Sequence, residues 1–235
     1  MGKRALPPRA SIRWSKVEKV IRTGNWESIL EIGFGNGFIL NYLAEHTKAT
    51  LYGIEISQSA IDSFTQMPFS TSVTLVESPE KSKYDLVICC EVIGYISDTE
   101  NFLKTTYDSL LKDGLFIVSA TNLDNIGLAE SNTGMKGFTP SHLQSIAQEA
   151  GFATQNFIPY GGYLIKLIHK LRGHVGEVEK IESRPKAVLE SWRTPGEDSA
   201  AVRVLWKLRK IIEMLDFIGM KSQPSGFILV LKKIS

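Results

Sequence analysis

A chain of 235 residues with 43% hydrophobic content can bury a substantial core and falls within the range of a single large α/β domain. Its net charge of +2 argues against broad electrostatic adhesion to nucleic acid, and no uninterrupted apolar stretch approaches the length of a membrane span. The N-terminal MGKRALPPRAS is basic with no apolar run behind it, so it is no secretory signal and a cytoplasmic protein is expected.

Trp14 to Arg22 carries a helical pattern ahead of the first strand signal. Ser28 to Glu31 is short, apolar and β-favouring, whereas Phe38, Ile39, Leu40, Leu43 and Ala44 recur at helical spacing. The glycines of ILEIGFGNG, residues 29–37, therefore occupy a strand-to-helix turn. Gly33, Gly35 and Gly37 lack Cβ atoms, so the backbone there can take φ > 0 and approach a ligand beside the free N–H groups of a helix start. About twenty residues on, LYGIEIS delivers Glu55 at the end of the next apolar run, where a carboxylate would accept hydrogen bonds from ribose hydroxyls. A nucleoside site is the functional reading; a tight turn and nothing more is the bland one. Phe38 stands where a dinucleotide fingerprint wants a third glycine, and the Lys-Ser/Thr pair of a phosphate-gripping P-loop is missing.

Ser57 is placed to cap a helix carrying Ala60, Ile61 and Phe64, which Met67-Pro68 ends. VTLVE, residues 73–77, reads as the third strand and DLVICC, residues 85–90, as the fourth. Cys89 and Cys90 are adjacent in that strand, so they point to opposite sheet faces and cannot staple the fold. Ser97 to Glu100 reads as a capping box opening a helix with Phe102, Leu103, Thr106, Leu110 and Leu111 on one side, stopped by Lys112-Asp113-Gly114. Thr139 and Pro140 supply an N-cap and a first-turn proline, and Gly151 terminates the helix bearing Leu143, Ile146, Ala147 and Ala150. FATQNFI is the sixth strand and GFILVLKK, residues 226–233, the last. The alternation predicts a doubly wound, mostly parallel sheet with helices on both faces.

Residues 160–225 depart from this alternation. Leu164, Ile165, Leu167, Ile168 and Leu171 form one apolar face, and Val204, Leu205, Leu208, Ile211, Ile212, Leu215 and Ile218 form another. Twelve lysines or arginines against eight acids give the region +4. Two helices packed on the sheet edge are the bland reading; a cap over an acceptor pocket, a peripheral membrane surface or a homodimer contact is the sharper one. The four histidines show no metal-ligand spacing and no cysteine pair completes a zinc site, so no metal is expected.

ILEIGFGNG resembles the glycine loop of class I S-adenosylmethionine-dependent methyltransferases, and the resemblance continues in order. YDLVICCEVIGYISD, residues 84–98, is similar to that family's fourth strand and following loop, and LLKDGLFIVSATN, residues 110–122, to its helix, turn and fifth strand. GFTPSHLQSIAQEAGF, residues 137–152, resembles the next segment in the branch containing ubiquinone-biosynthesis O-methyltransferases and related small-molecule enzymes. The resemblance covers roughly residues 25–158 and implies one methyltransferase domain over 1–235, with a Rossmann-like seven-stranded sheet and the 160–225 insertion before its last strand. It implies S-adenosylmethionine as cofactor and a small-molecule, sugar or lipid-like acceptor, with no nucleic-acid partner. Glu31 and the loop Gly33, Phe34, Gly35, Asn36 and Gly37 would surround the methionine part, Glu55 the ribose, and Ile56 the adenine. Glu77 would lie on the adenine side, and Cys90 and Glu91 beside the methyl-transfer position; the bland reading of Glu91 is a solvated or loop-anchoring carboxylate.

EVIGYISD departs from the branch, many members of which carry Glu-His where this chain has Gly94-Tyr95. Base catalysis by that histidine is lost; Tyr95 is left to orient an acceptor, stack on it, or pack under the loop. His142, at the start of the FTP helix, is read either as facing the pocket or as a surface residue. The alternatives are a cofactor-binding pseudoenzyme or partner subunit, a nicotinamide oxidoreductase disfavoured by Phe38, and a protein methyltransferase suggested by Glu91 and Glu100.

Overall fold

The fold was analysed in a computed structural model, which describes residues 8–123, 136–162 and 224–234. The two apolar faces expected within 160–225 lie outside the described residues. Two compact units are present, one of Lys19–Pro159 with Gly226–Ser235 and one of Met1–Glu18 with Tyr160–Ser225. The larger unit holds the glycine loop, the strand ends around it and the sheet.

Helix α1 spans Pro8–Ile21, opening six residues earlier than its periodicity suggests because a proline fits the first turn of a helix, where no amide partner is needed. The remaining elements are β1 (Ser28–Ile32), α2 (Phe38–His46), β2 (Thr50–Ile54), α3 (Gln58–Thr65), β3 (Val73–Leu75), β4 (Tyr84–Cys90), α4 (Thr99–Ser109), β5 (Leu110–Thr121), α5 (Pro140–Glu149), β6 (Phe152–Tyr160) and β7 (Gly226–Lys233). The seven strands form one sheet in the order β3-β2-β1-β4-β5-β7-β6. Strands β1 to β5 pair in parallel, and β7 runs antiparallel to β5. The chain steps outward from β1 through β2 to β3, then returns to the other flank of β1 with β4. That reversal opens a crevice at the C-terminal ends of β1 and β4, the usual place for a ligand in an open α/β sheet.

The core explains the strand patterns. Ile29, Leu30, Leu86, Val87, Ile88 and Cys89 are fully buried, as are Phe227, Ile228, Leu229 and Leu231 of β7, so the central strands read as continuous apolar runs. Asp85 ties β4 to β1 at the N-terminal ends of these central strands: its Oδ2 accepts from the amides of Glu27 and Ser28 at 2.9 and 2.8 Å and from the Ser28 hydroxyl at 3.0 Å. Asp85→Ala should therefore destabilise the fold by about 1.5 to 3 kcal/mol, the scale of hydrogen bonds to a charged group. The urea midpoint should fall with the slope unchanged; an unmoved midpoint would show that water replaces the carboxylate without loss.

Two boundaries correct the sequence reading. Asp98, not Ser97, caps α4, because its Oδ1 accepts from the Asn101 amide at 3.0 Å. The helix also ends at Ser109, so Leu110 and Leu111 belong to β5, with Leu110 paired to Tyr84. The hydroxyls of Thr106 and Ser109 turn back onto the Phe102 and Thr106 carbonyls in the last turn, which weakens further helix growth. Lys112-Asp113-Gly114 then falls inside β5, where Asp113 has φ 63° and the register with β4 shifts. The cap at α5 follows the sequence: Thr139 Oγ1 accepts from the His142 amide at 3.2 Å, and Pro140 opens the helix.

Candidate cofactor and acceptor site

The loop from β1 to α2 turns through three left-handed glycines, Gly33, Gly35 and Gly37, with φ of 73°, 54° and 69°. Their surroundings differ. A Cβ on Gly33 would collide with Val92, and one on Gly37 with Phe64, whereas one on Gly35 would meet nothing within 4 Å. Gly33 and Gly37 are thus packing positions, and Gly35 is the one that presents bare backbone to open space. Phe34 anchors the loop from below, buried with its ring 4.6 Å from that of Phe64, so it serves the site by position and not by side-chain contact. Asn36 Oδ1 accepts from the Phe38 amide at 3.2 Å and satisfies one of the free donors at the start of α2.

Two carboxylates flank this loop. Glu31, in β1, is 3% exposed, and its Oε2 has no hydrogen-bond partner among the described residues. Burial first, and the nearby Glu55 charge second, hold its carboxyl well above the ordinary glutamate range. A buried carboxylate oxygen with no donor is costly unless a ligand supplies one. Glu55, just past β2, gathers three amides: Oε2 accepts from Gly35 at 2.8 Å, and Oε1 from Ile56 at 2.8 Å and Ser57 at 2.9 Å. Ser57 stands at the N-cap of α3 as expected, yet its hydroxyl lies 3.1 Å from Ser59 Oγ and makes no cap bond.

Ile56 is 95% exposed beside Glu55. Leu75, Tyr95 and Leu123 are also exposed, each at or just past the C-terminal end of a parallel strand, so the crevice has an apolar rim. Tyr95 is 63% exposed in the 3₁₀ turn Ile93–Tyr95, which corrects the reading that it packs under the loop. The reason is local: Ile93 and Gly94 fill the space beneath the turn, leaving the third residue outward. Glu77 lies two residues past β3, which ends at Leu75 and not at Glu77, and it is exposed.

At the end of β4, Glu91 takes φ 60°, an uncommon conformation for a residue with a Cβ. Its amide donates to the Ser119 carbonyl at 3.2 Å and hydroxyl at 3.0 Å, and its carboxylate accepts from Ser119 Oγ at 3.3 Å and Thr121 Oγ1 at 3.1 Å. The side chain thus anchors the loop to β5. Ser119 and Thr121 escaped the sequence reading; two hydroxyls at alternate positions after the apolar run Leu115–Val118 were the available signal. Cys90 pairs across the ladder with Ser119 and is half-buried, while burial pushes the Cys89 thiol up and keeps it protonated. Among the described residues, no three His, Cys, Asp or Glu side chains are grouped to hold a metal ion, and no helix is long and apolar enough to cross a membrane.

This combination of sheet order, glycine turn and strand-end carboxylates is that of the class I methyltransferases. Residues 6–156 match the family described as "Methyltransferase domain", and the chain belongs to that family. The cofactor of this class is S-adenosylmethionine. The ubiquinone biosynthesis O-methyltransferase of Bartonella tribocorum (strain CIP 105476 / IBS 506) is 26% identical over 102 residues, 40% of this chain and 41% of that protein. The enzyme of the same name from Rickettsia canadensis (strain McKiel) is 29% identical over 101 residues, 40% of this chain and 42% of that protein. The chain therefore spans less than half the length of these curated relatives. Among solved structures, a sarcosine dimethylglycine methyltransferase from Galdieria sulphuraria shares the fold at TM-score 0.61 and 12% identity, over 96% of this chain and 86% of that one. The 4+2 cyclase SpnF does so at TM-score 0.65 and 17% identity, over 100% and 84%. A cyclase on the same fold shows that architecture alone does not fix chemistry, which must be argued from the site.

Proposed function

We propose that the protein transfers a methyl group from S-adenosylmethionine to a small-molecule acceptor bound over the C-terminal ends of β4 and β5. The carrying observation is Glu31, a buried carboxylate with one oxygen lacking a donor, set beside a loop whose Gly35 leaves room for a ligand. Those features fit a cofactor whose amino-acid end carries an ammonium group: Glu31 would receive that ammonium, Glu55 the ribose hydroxyls, and exposed Ile56 the flat face of adenine. The bound cofactor supplies a methyl group already activated on a sulfonium.

The chain's own residues then bind, orient and exclude water. Holding two reactants in near-attack geometry is worth about 7 to 11 kcal/mol in well-oriented intramolecular reactions, so positioning is the main task. Glu91, tied to Ser119 and Thr121, fixes the exit of β4 and with it the turn that presents Tyr95. Tyr95 orients the acceptor through its hydroxyl or its ring. Glu77 would reach the adenine side only from the loop after β3, and Cys90 lines the crevice floor. The ubiquinone-pathway relatives support a small-molecule acceptor. A screen of the full chain with S-adenosylmethionine over phenolic, sugar, lipid and peptide acceptors, read by S-adenosylhomocysteine release, tests the proposal. Release that depends on a phenolic, sugar or lipid acceptor is expected; release with peptides alone would overturn the acceptor class.

A further inference from the structure

The connection from β3 to β4 is unusually short. Leu75 pairs with Gly53, Gly53 with Glu31 and Glu31 with Ile88, so Leu75 stands level with Ile88 three strand spacings away. Tyr84 opens β4 four residues before Ile88. Three spacings across the sheet and four residues along it make about 20 Å, against about 30 Å for the chain from Leu75 to Tyr84 at full extension. Parallel strands are usually joined by a dozen or more residues that include a helix. Residues 76–83 have no length to spare for one.

The path of this connection is also pinned. The Val76 amide donates to the Gly53 carbonyl at 3.0 Å, and the Glu80 amide to the Tyr84 hydroxyl at 3.4 Å. The Ser82 and Lys83 amides donate to the Asp108 and Ser109 carbonyls at 2.9 and 2.8 Å, in the last turn of α4. Lys83 Nζ lies 4.3 Å from the centre of the Tyr52 ring and 2.5 Å from Glu80 Oε1, so the chain is drawn across β2 towards the opposite end of the sheet. Between these ties lie Glu77, Ser78 and Pro79 alone, and the first two are exposed. The ribose end of the crevice contrasts with this, since Glu55 there gathers the amides of Gly35, Ile56 and Ser57.

We infer that the base end of the cofactor site is an open slot at the β3 edge of the sheet, and that the protein takes S-adenosylmethionine-type cofactors enlarged on the exocyclic amine of adenine. The inference rests on the cofactor reading above. With the amino-acid end at Glu31 in β1 and the ribose at Glu55 after β2, the base extends outward in the order of the strands, over β3. The purine edge farthest from the ribose carries the exocyclic amine. Beside that edge the chain offers Glu77, Ser78 and Pro79 and, among the described residues, no further strand and no crossover helix. A singly substituted amine keeps one N–H for the Glu77 carboxylate, and an apolar substituent lies against Leu75, which is exposed at the end of the edge strand.

The test is calorimetric titration of the full chain with S-adenosylhomocysteine and with its derivative carrying one benzyl group on the exocyclic amine. Wild type should bind the derivative within about fivefold of the parent compound, and the two should compete for one site. Leu75→Asp should lower the affinity for the derivative relative to that for the parent by about tenfold, because a charge replaces the apolar contact with the benzyl group. A derivative that wild type binds more than about fivefold more weakly than the parent would overturn the inference, as would an unchanged ratio of the two affinities in folded Leu75→Asp protein. Failure of wild type to bind the parent at all would instead overturn the cofactor reading on which the inference rests.

Discussion

Replacing Glu31 by glutamine is expected to raise the stability of the unliganded protein at neutral pH while weakening S-adenosylmethionine about tenfold to a hundredfold, the scale of a lost charged hydrogen bond. In the native state the carboxyl is held above its ordinary range by burial, with the charge of Glu55 adding to it. It therefore keeps its proton to higher pH than in the unfolded chain. Between the ordinary carboxylate range, about pH 4 to 5, and the raised native value, the folded protein binds more protons than the unfolded one. The stability linked to that proton is complete at low pH and is lost as pH rises through the native value. Urea midpoints of wild type should therefore fall through this window relative to those of Glu31→Gln; parallel curves would show that Glu31 already ionises freely. S-adenosylmethionine affinity should rise with pH over the same window in wild type, because its ammonium pairs with the ionised form. Binding of 5′-methylthioadenosine, which lacks the amino-acid end, should not.

Gly35→Val should abolish cofactor binding, by about a hundredfold or more, and leave the sheet intact. The position has φ 54°, so a branched residue there is strained by about 1 to 3 kcal/mol, but its side chain enters open space and no packed neighbour. Gly37→Val is the contrast. There the new atoms meet Phe64, so the loss should appear first as lowered stability. Glu55→Ala should cost about 1.5 to 3 kcal/mol of cofactor affinity, since it removes both the ribose acceptor and the carboxylate that holds the Gly35 amide. Undiminished calorimetric affinity in a folded Gly35→Val protein would reduce the loop to a turn.

The glycine loop, Glu55 and the cap of α5 were legible because each is written in local spacing: strand, turn and helix follow within a dozen residues, and Thr139-Pro140 announces its own geometry. The boundary between α4 and β5 was not, since Leu110 and Leu111 satisfy a helical stripe as well as a buried strand, and only pairing with Tyr84 decides between them. Glu91 reads from sequence either as a residue beside the methyl-transfer position or as a loop anchor, and the anchoring partners Ser119 and Thr121, 28 and 30 residues on, are not visible in local spacing. The same holds for Asp85, bonded 57 residues back to Ser28. Phe34 looked like part of the ligand surface from its place in the motif, yet contact with Phe64 turned it into the core. Long-range contacts decide such cases, and local sequence does not carry them.

Isothermal titration of the full chain with S-adenosylmethionine, S-adenosylhomocysteine and NAD tests the central claim most directly. Saturable one-site binding of the first two, with mutual competition and no measurable NAD binding, is the expected result. Tight binding of NAD with none of S-adenosylmethionine would contradict it.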